Sequence, residues 1–207
     1  MKADYGRGVR RWERGERLVA AQRLALAATF VALGVVLSTF SVPIGPARVF
    51  PFQATINVVA GVMLGPWYAV LASFGISVFR NALGTGTFLA FPGSMIGAFL
   101  VGWGYHHVRR TDLMAVLEPV GTALIGGFVG YLLIAPVGAP FPLLGFITVN
   151  PSSPQPYLGV FSGALALIVS FAVSSVPGAV LGFLCLKALR RAGVGLAPNS
   201  PGRWGSD

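Results

Sequence analysis

Long apolar runs, most of them close to the length that crosses a bilayer, constrain the fold of this chain more than any other feature. A transmembrane helix needs about 20 apolar residues, because it rises about 1.5 Å per residue through a hydrocarbon core roughly 30 Å thick. Turns with glycine, proline or basic residues separate the runs, which cover residues 18–41, 52–64, 67–82, 88–108, 115–136 and 159–191. We therefore predict an all-α integral membrane bundle of six transmembrane helices.

The composition agrees with a membrane protein. Of the 207 residues, 55% are hydrophobic and only 10% are charged, whereas soluble domains carry about 25% charged residues. The single cysteine excludes a disulfide within one chain. We expect one transmembrane domain at residues 18–192, preceded by a basic segment at 1–17 and followed by a mobile polar tail at 193–207.

The basic residues are distributed unevenly, and their placement predicts the topology. Thirteen of the fifteen fall in the N-terminal segment, in the loop between the fourth and fifth helices, or in the C-terminal segment, and only Arg48 and Arg80 fall on the other side. Basic residues accumulate in cytoplasmic loops of membrane proteins, so we expect both termini to be cytoplasmic. The net charge of +9 is thereby explained by topology rather than by nucleic-acid binding.

Polar and aromatic side chains interrupt the apolar runs at one depth, the predicted outer end. A polar group in hydrocarbon is costly unless it has a partner, so such interruptions suggest a site. The candidate substrate-binding residues come from helices two to five and from the long outer loop at 137–158: Gln53, Asn57, Arg80, Asn81, Phe91, Ser94, Tyr131, Asn150, Gln155 and Tyr157. Together they predict an outward-facing cavity for a small, flat, mostly uncharged ligand with heteroatoms.

Each candidate also has a structural explanation that the sequence leaves open. Asn57 can bond a neighbouring helix, as polar residues do in membrane bundles. Arg80 can extend to the outer headgroups, and Ser94 can bond a carbonyl one turn back in its own helix. Tyr131 and Tyr157 are also typical of an interfacial aromatic belt. The shared depth of the whole group is what favours a site.

Helix 1 carries a stripe of small residues, formed by Ala21, Ala25, Ala28 and Ala32. Small residues at this spacing let a second helix approach closely, and that helix belongs either to the same bundle or to another subunit. Further pairs of glycines four residues apart, such as Gly93 with Gly97 and Gly178 with Gly182, are expected to tighten the bundle itself.

The chain lacks the groups that power or catalyse reactions. Neither of its two lysines lies in a phosphate-binding glycine loop, so it is not its own ATPase. Glu118 is expected near the cytoplasmic start of helix 5, which would leave no carboxylate in the membrane interior and argues against a proton-coupled carrier. Ser77 and the histidine pair His106–His107 lie at opposite ends, which excludes a serine hydrolase, and no metal site is expected. We predict a non-enzymatic binding protein without a cofactor.

Two sequence blocks resemble a known family. FPFQATINVVAGVMLGPWYAV and FRNALGTGTFLAFPGSMIGA, which together span most of residues 50–98, are similar to the thiazole-type (ThiW) substrate-binding S-components of energy-coupling factor (ECF) transporters. Within these blocks the resemblance marks Gln53, Asn57, Arg80, Asn81 and Ser94 as candidate ligand contacts. The six predicted helices and the alanine stripe also agree with this family, but less specifically than the two sequence blocks.

The resemblance implies a multi-pass protein of a prokaryotic cell membrane that takes up a thiamine precursor, hydroxyethylthiazole. S-components work with a transmembrane coupling subunit and two cytoplasmic ATPases, and the alanine stripe matches the surface that they present to the coupling subunit. Thiamine or its pyrimidine precursor is an alternative ligand. An intramembrane enzyme or a structural subunit of another complex is the alternative of a different class.

Overall fold

The computed structural model describes residues 2–40, 42–44, 47–84, 90–134, 141–143, 147–149 and 156–196. It describes side-chain surroundings for 19–40, 50–84, 91–133, 164–165 and 167–196. Two predicted site residues, Asn150 and Gln155, lie outside the described residues, as do the side chain of Tyr157 and the end of the C-terminal tail from residue 197.

The described chain is mainly helical, which confirms the predicted all-α class. Seven α-helices follow one another: α1 (Lys2–Leu37), α2 (Pro51–Leu64), α3 (Pro66–Ala82), α4 (Ala90–Trp103), α5 (Leu117–Pro119), α6 (Gly126–Ile134) and α7 (Pro156–Arg191). Helix α1 begins at Lys2, so the segment predicted to precede the first helix is part of it. Among the described residues, three helical segments are long and apolar enough to cross a membrane by themselves: Val19–Leu37, Asp112–Leu133 and Leu167–Arg191.

The predicted fifth helix is a chain of tighter and wider helical turns. A 3₁₀ turn at Asp112–Val116 leads into α5, and a π-helical segment at Val120–Ile125 joins α5 to α6. The Thr111 side chain accepts a hydrogen bond from the Leu113 backbone N–H and so caps the first turn. The helical chain therefore starts three residues earlier than predicted, at Asp112.

Two short antiparallel ladders lie in segments that we had predicted as outer loops. Strand β1 (Val42–Ile44) pairs with β2 (Ala47–Val49), with Val42 opposite Val49. Strand β3 (Phe141–Leu143) pairs with β4 (Ile147–Val149), with Phe141 opposite Val149. Each ladder has only three residue pairs, so it shapes a connection without adding a layer to the fold.

Helix α2 is the centre of the bundle. Eleven of its 14 residues are buried, and it packs against α7, α4 and α3. The two glycines of α7 that face it explain the close fit: a Cβ placed at Gly182 would lie 2.7 Å from Val58 Cβ, and one at Gly178 would meet the Pro51 carbonyl. The predicted role of this glycine pair in tightening the bundle is confirmed.

A second close contact joins α4 to the segment that runs from α5 to α6. A Cβ placed at Gly121 would lie 2.6 Å from Gly97 Cα, and one at Gly126 would meet Gly93 Cα. The prediction that Gly93 and Gly97 tighten the bundle is also confirmed. Because the two backbones nearly touch, the residues one turn away from these glycines are enclosed between the helices.

Helix α1 lies at the edge of the bundle, against α3 and α2. Its packing face holds Ala27, which is buried, and Gly34 and Val31, which lie against Ile76 and Gly75 of α3. The predicted alanine stripe lies elsewhere: Ala21, Ala25, Ala28 and Ala32 are all exposed. At about 100° per residue, the stripe lies roughly 120° around the helix from the packing face.

Candidate functional site

A chain of polar side chains joins three helices at one end of the bundle. The start of α2, the end of α3 and the start of α4 meet there. Gln53 Nε2 lies 3.4 Å from Ser77 Oγ, to which it donates, and Ser77 Oγ lies 3.2 Å from Ser94 Oγ. Arg80 donates to Gln53 Oε1 through Nη1. We call Gln53, Ser77, Arg80 and Ser94 the end network.

Arg80 is enclosed in this network. Its residue is only 6% exposed, and its guanidinium carbon lies 4.7 Å from the centre of the Phe50 ring. A buried charge is costly, and hydrogen bonds and the negative face of an aromatic ring offset part of that cost. The arginine therefore points into the bundle rather than out to headgroups.

Three further predicted site residues lie at the same end of the bundle. Asn81 donates from Nδ2 to the Ser77 carbonyl oxygen at 2.8 Å and is half-buried. The Phe91 ring packs edge-to-face against Phe74, with 5.8 Å between ring centres. Tyr131 is buried near the end of α6. Ser94 also lies 3.4 Å from the Phe91 carbonyl oxygen, to which its hydroxyl can donate; this acceptor is three residues back in the chain, whereas the structural explanation placed it four residues back.

Asn57 joins a different set of side chains, one turn deeper in α2. Its Nδ2 donates to Glu118 Oε1 at 3.2 Å. The same carboxyl oxygen lies 2.7 Å from Thr122 Oγ1, and that hydroxyl lies 3.2 Å from the Gly93 carbonyl oxygen. We call Asn57, Glu118 and Thr122 the inner network. It links α2, α4 and the α5–α6 segment where the glycine contacts bring them close.

The prediction that no carboxylate lies in the interior is wrong. Glu118 is fully buried, at the level of the middle of α2. The prediction failed because the helical turns begin at Asp112 rather than at residue 115. Glu118 therefore lies inside the bundle instead of at its edge. The missed signal was Glu118 with Thr122 four residues later, a pair that shares one helix face inside an apolar run. The predicted absence of a buried carboxylate can therefore no longer be used as an argument against a proton-coupled carrier.

The inner network has unfilled hydrogen-bonding capacity. Glu118 Oε2 and Asn57 Oδ1 are buried and have no hydrogen-bond partner among the described residues. A Cβ at Gly97 would lie 3.2 Å from Glu118 Oε1, so α4 packs closely against the carboxyl group. The inner network therefore joins closely packed helical segments, whereas the end network lies where the helices end.

The histidines lie at the opposite end of the bundle from the end network. His106 donates from Nε2 to the Val62 carbonyl oxygen at 3.1 Å, and His107 donates from Nδ1 to the Trp103 carbonyl oxygen at 3.2 Å. Neither can act as a base for Ser77. Within the described ranges, no three His, Cys, Asp or Glu residues lie close enough together to hold a metal ion.

Comparison with known protein families places most of the chain in one of them. The family profile described as thiamine-precursor transporter protein (ThiW) matches residues 24–192, which include both networks and the exposed stripe of α1 from Ala25 onward. No curated protein and no solved structure matches the chain. The match covers most of the chain and agrees with the apolar helices and with the polar side chains buried among them. The chain therefore belongs to the ThiW family of thiamine-precursor transporter proteins.

Proposed function

We propose that the chain is the substrate-binding S-component of an ECF-type importer and that it captures hydroxyethylthiazole from outside the cell. Membership of a thiamine-precursor transporter family supports the substrate class. The proposed binding site is based on the end network. It gathers a guanidinium, an amide and two hydroxyls from three helices, at the end of the bundle that the positive-inside rule predicts to face outward.

The chemistry of the end network suits a heteroaromatic alcohol. Such a ligand offers a ring nitrogen that accepts hydrogen bonds and a hydroxyl that both donates and accepts. Arg80 is a donor with a fixed planar fork, and Ser77 and Ser94 can donate or accept. The Phe74–Phe91 pair adds an aromatic wall for a flat ring. A few placed polar groups beside aromatic rings are typical of small-molecule sites.

We propose different roles for the other residues that were predicted to contact the ligand. Asn81 and Tyr131 lie at the same end as the end network and complete its wall. Asn150, Gln155 and Tyr157 are proposed as further ligand contacts. The Asn57 amide nitrogen is committed to Glu118, so we assign Asn57 to holding α2 in position beneath the ligand.

Transport requires partners that supply energy. We propose a transmembrane coupling subunit with two cytoplasmic ATPases, because the chain has no phosphate-binding glycine loop of its own. The four alanines of the α1 stripe are exposed while the other face of α1 packs on α3. This leaves a smooth small-residue surface on which a partner helix can lie.

Calorimetric titration of the purified protein tests the ligand. We expect hydroxyethylthiazole to bind with a micromolar or lower dissociation constant, and thiamine and its pyrimidine precursor to bind more weakly. Tighter binding of either of those two would assign the site to the alternative ligand and keep the S-component role. Absence of binding heat and of any tryptophan fluorescence change with all three compounds would refute the proposed binding function.

A further inference from the structure

A cavity of about 410 Å³ lies at the end of the bundle opposite the end network. Its volume falls in the range of small-molecule sites, about 300–1,000 Å³. Six of the residues that line it are basic or aromatic and come from three parts of the chain: Arg23, Trp67, Tyr68, His106, His107 and Arg110. The ligand proposed above does not use any of them.

The cavity has firm walls. Gly65, with a φ of 85°, ends α2 and turns the chain directly into α3. This turn packs against α4 so closely that a Cβ at Gly102 would lie 2.7 Å from Pro66 Cα. His106 is tied to the last turn of α2 by its hydrogen bond to the Val62 carbonyl oxygen. The opening is therefore a fixed feature of the α2–α3 turn.

Two arginines from distant parts of the sequence meet at this cavity. Arg23 comes from α1 and is half-buried, with its guanidinium carbon 6.0 Å from the centre of the Tyr68 ring. Arg110 follows α4 and is exposed. The lining of the cavity, all of it within the described residues, contains no Asp or Glu. The positive-inside rule accounts for basic residues at this end, but not for their convergence on one cavity.

We propose that this cavity binds a phosphate group, with Arg23 and Arg110 as its cationic ligands. Guanidinium groups match phosphate oxygens in geometry as well as in charge. The phosphate can belong to the headgroup of an anionic phospholipid or can be free in solution. Trp67 is 74% exposed at the edge of the cavity, where an indole is typical of the membrane–water interface. Both sources use the same two arginines.

Two measurements on the full-length protein in detergent test the site and separate the two sources. Native mass spectrometry measures retention of phosphatidylglycerol against phosphatidylcholine, and a thermal-shift titration with sodium phosphate against sodium chloride measures free phosphate. The chain offers a matched control, because Arg109 is equally exposed and adjacent to Arg110 but does not line the cavity. Arg23→Gln and Arg110→Gln are the test variants, and Arg109→Gln is the control.

We expect selective retention of phosphatidylglycerol and a roughly fivefold loss of its binding in Arg110→Gln, since one basic residue near an anionic membrane surface contributes about that factor. Arg23→Gln should show a similar loss, and Arg109→Gln should bind like the wild type. A phosphate-specific thermal shift that disappears in the same two variants, without lipid selectivity, would support the site with free phosphate as its ligand. Absence of both effects, or an equal loss in Arg109→Gln, would overturn the proposal.

Discussion

The two polar networks of the bundle share one face of α2 and yet differ in the residues that they join. Gln53 and Asn57 are four residues apart, so they lie one above the other. Gln53 connects to Arg80 and Ser77, where the helices end. Asn57 connects to Glu118, where glycines bring the helices into contact. The two residues therefore belong to separate networks although they share one helix face.

The difference follows from helix separation. At the inner network the backbones of α4 and the α5–α6 segment are so close that glycine is required at Gly97 and Gly121. The polar side chains there bond to one another and to the Gly93 carbonyl oxygen. At the end network the three helices are joined through side chains, by the Gln53–Ser77 and Ser77–Ser94 hydrogen bonds. Substitutions in one network should therefore change stability, and those in the other should change ligand binding.

The largest expected effect is on the inner network. Glu118→Ala removes the acceptor of the Asn57 amide and leaves buried groups unpaired, which should lower the free energy of unfolding by about 2–3 kcal/mol. Thermal unfolding in detergent measures this loss. Glu118→Gln keeps the size and one carbonyl oxygen, so it should lose much less. Ligand affinity of the folded protein should stay unchanged, and a stable Glu118→Ala protein with lost affinity would reverse the two assignments.

The next effect is on the end network. Arg80→Ala removes a charged donor proposed to meet the ligand, and should weaken hydroxyethylthiazole binding by about 2 kcal/mol, or roughly thirtyfold. Titration calorimetry measures the change, with Arg109→Ala as a control that keeps the same net charge as the test variant. Unchanged affinity in Arg80→Ala would remove the end network from the proposed site.

A smaller effect separates two serines of α3. Ser77 bonds within the end network, whereas Ser73, one turn deeper and also buried, has no hydrogen-bond partner among the described residues. Ser77→Ala should weaken ligand binding by about 1 kcal/mol, or roughly fivefold. Ser73→Ala should leave it unchanged. Equal affinities for the two variants would show that the serine hydroxyls do not contribute through the network.

The smallest effect on the isolated protein is expected at the α1 stripe, which touches neither network. Ala25→Leu and Ala28→Leu should change neither stability nor ligand affinity, because both residues are exposed. They should nevertheless reduce co-purification with the proposed coupling subunit, because a larger side chain keeps a partner helix away. Ala188→Leu, at an exposed alanine of α7, is the control. Normal co-purification of both stripe variants would place the partner elsewhere.

Much of the end network could be predicted from the sequence, because it depends on where each helix begins and ends along the chain. The helix breaks at Gly65–Pro66 and after Ala82 place Gln53, Arg80 and Ser94 at one end of three antiparallel helices. The inner network could not be predicted in the same way. It depends on where a helix enters the bundle, and a shift from residue 115 to Asp112 was enough to misplace Glu118.

Sequence information was sufficient to predict that the chain forms apolar helices, which helix faces carry polar residues, and at which end of the bundle most of those residues lie. These properties follow from hydropathy and from the periodicity of one helix at a time. The packing of the helices in three dimensions was needed to show that Gln53 contacts Arg80, that Asn57 contacts Glu118, and that Arg23 and Arg110 line one cavity. Such contacts depend on how closely two helices approach, and that distance is set by residues on both of them, above all by the glycines of α4, α7 and the α5–α6 segment.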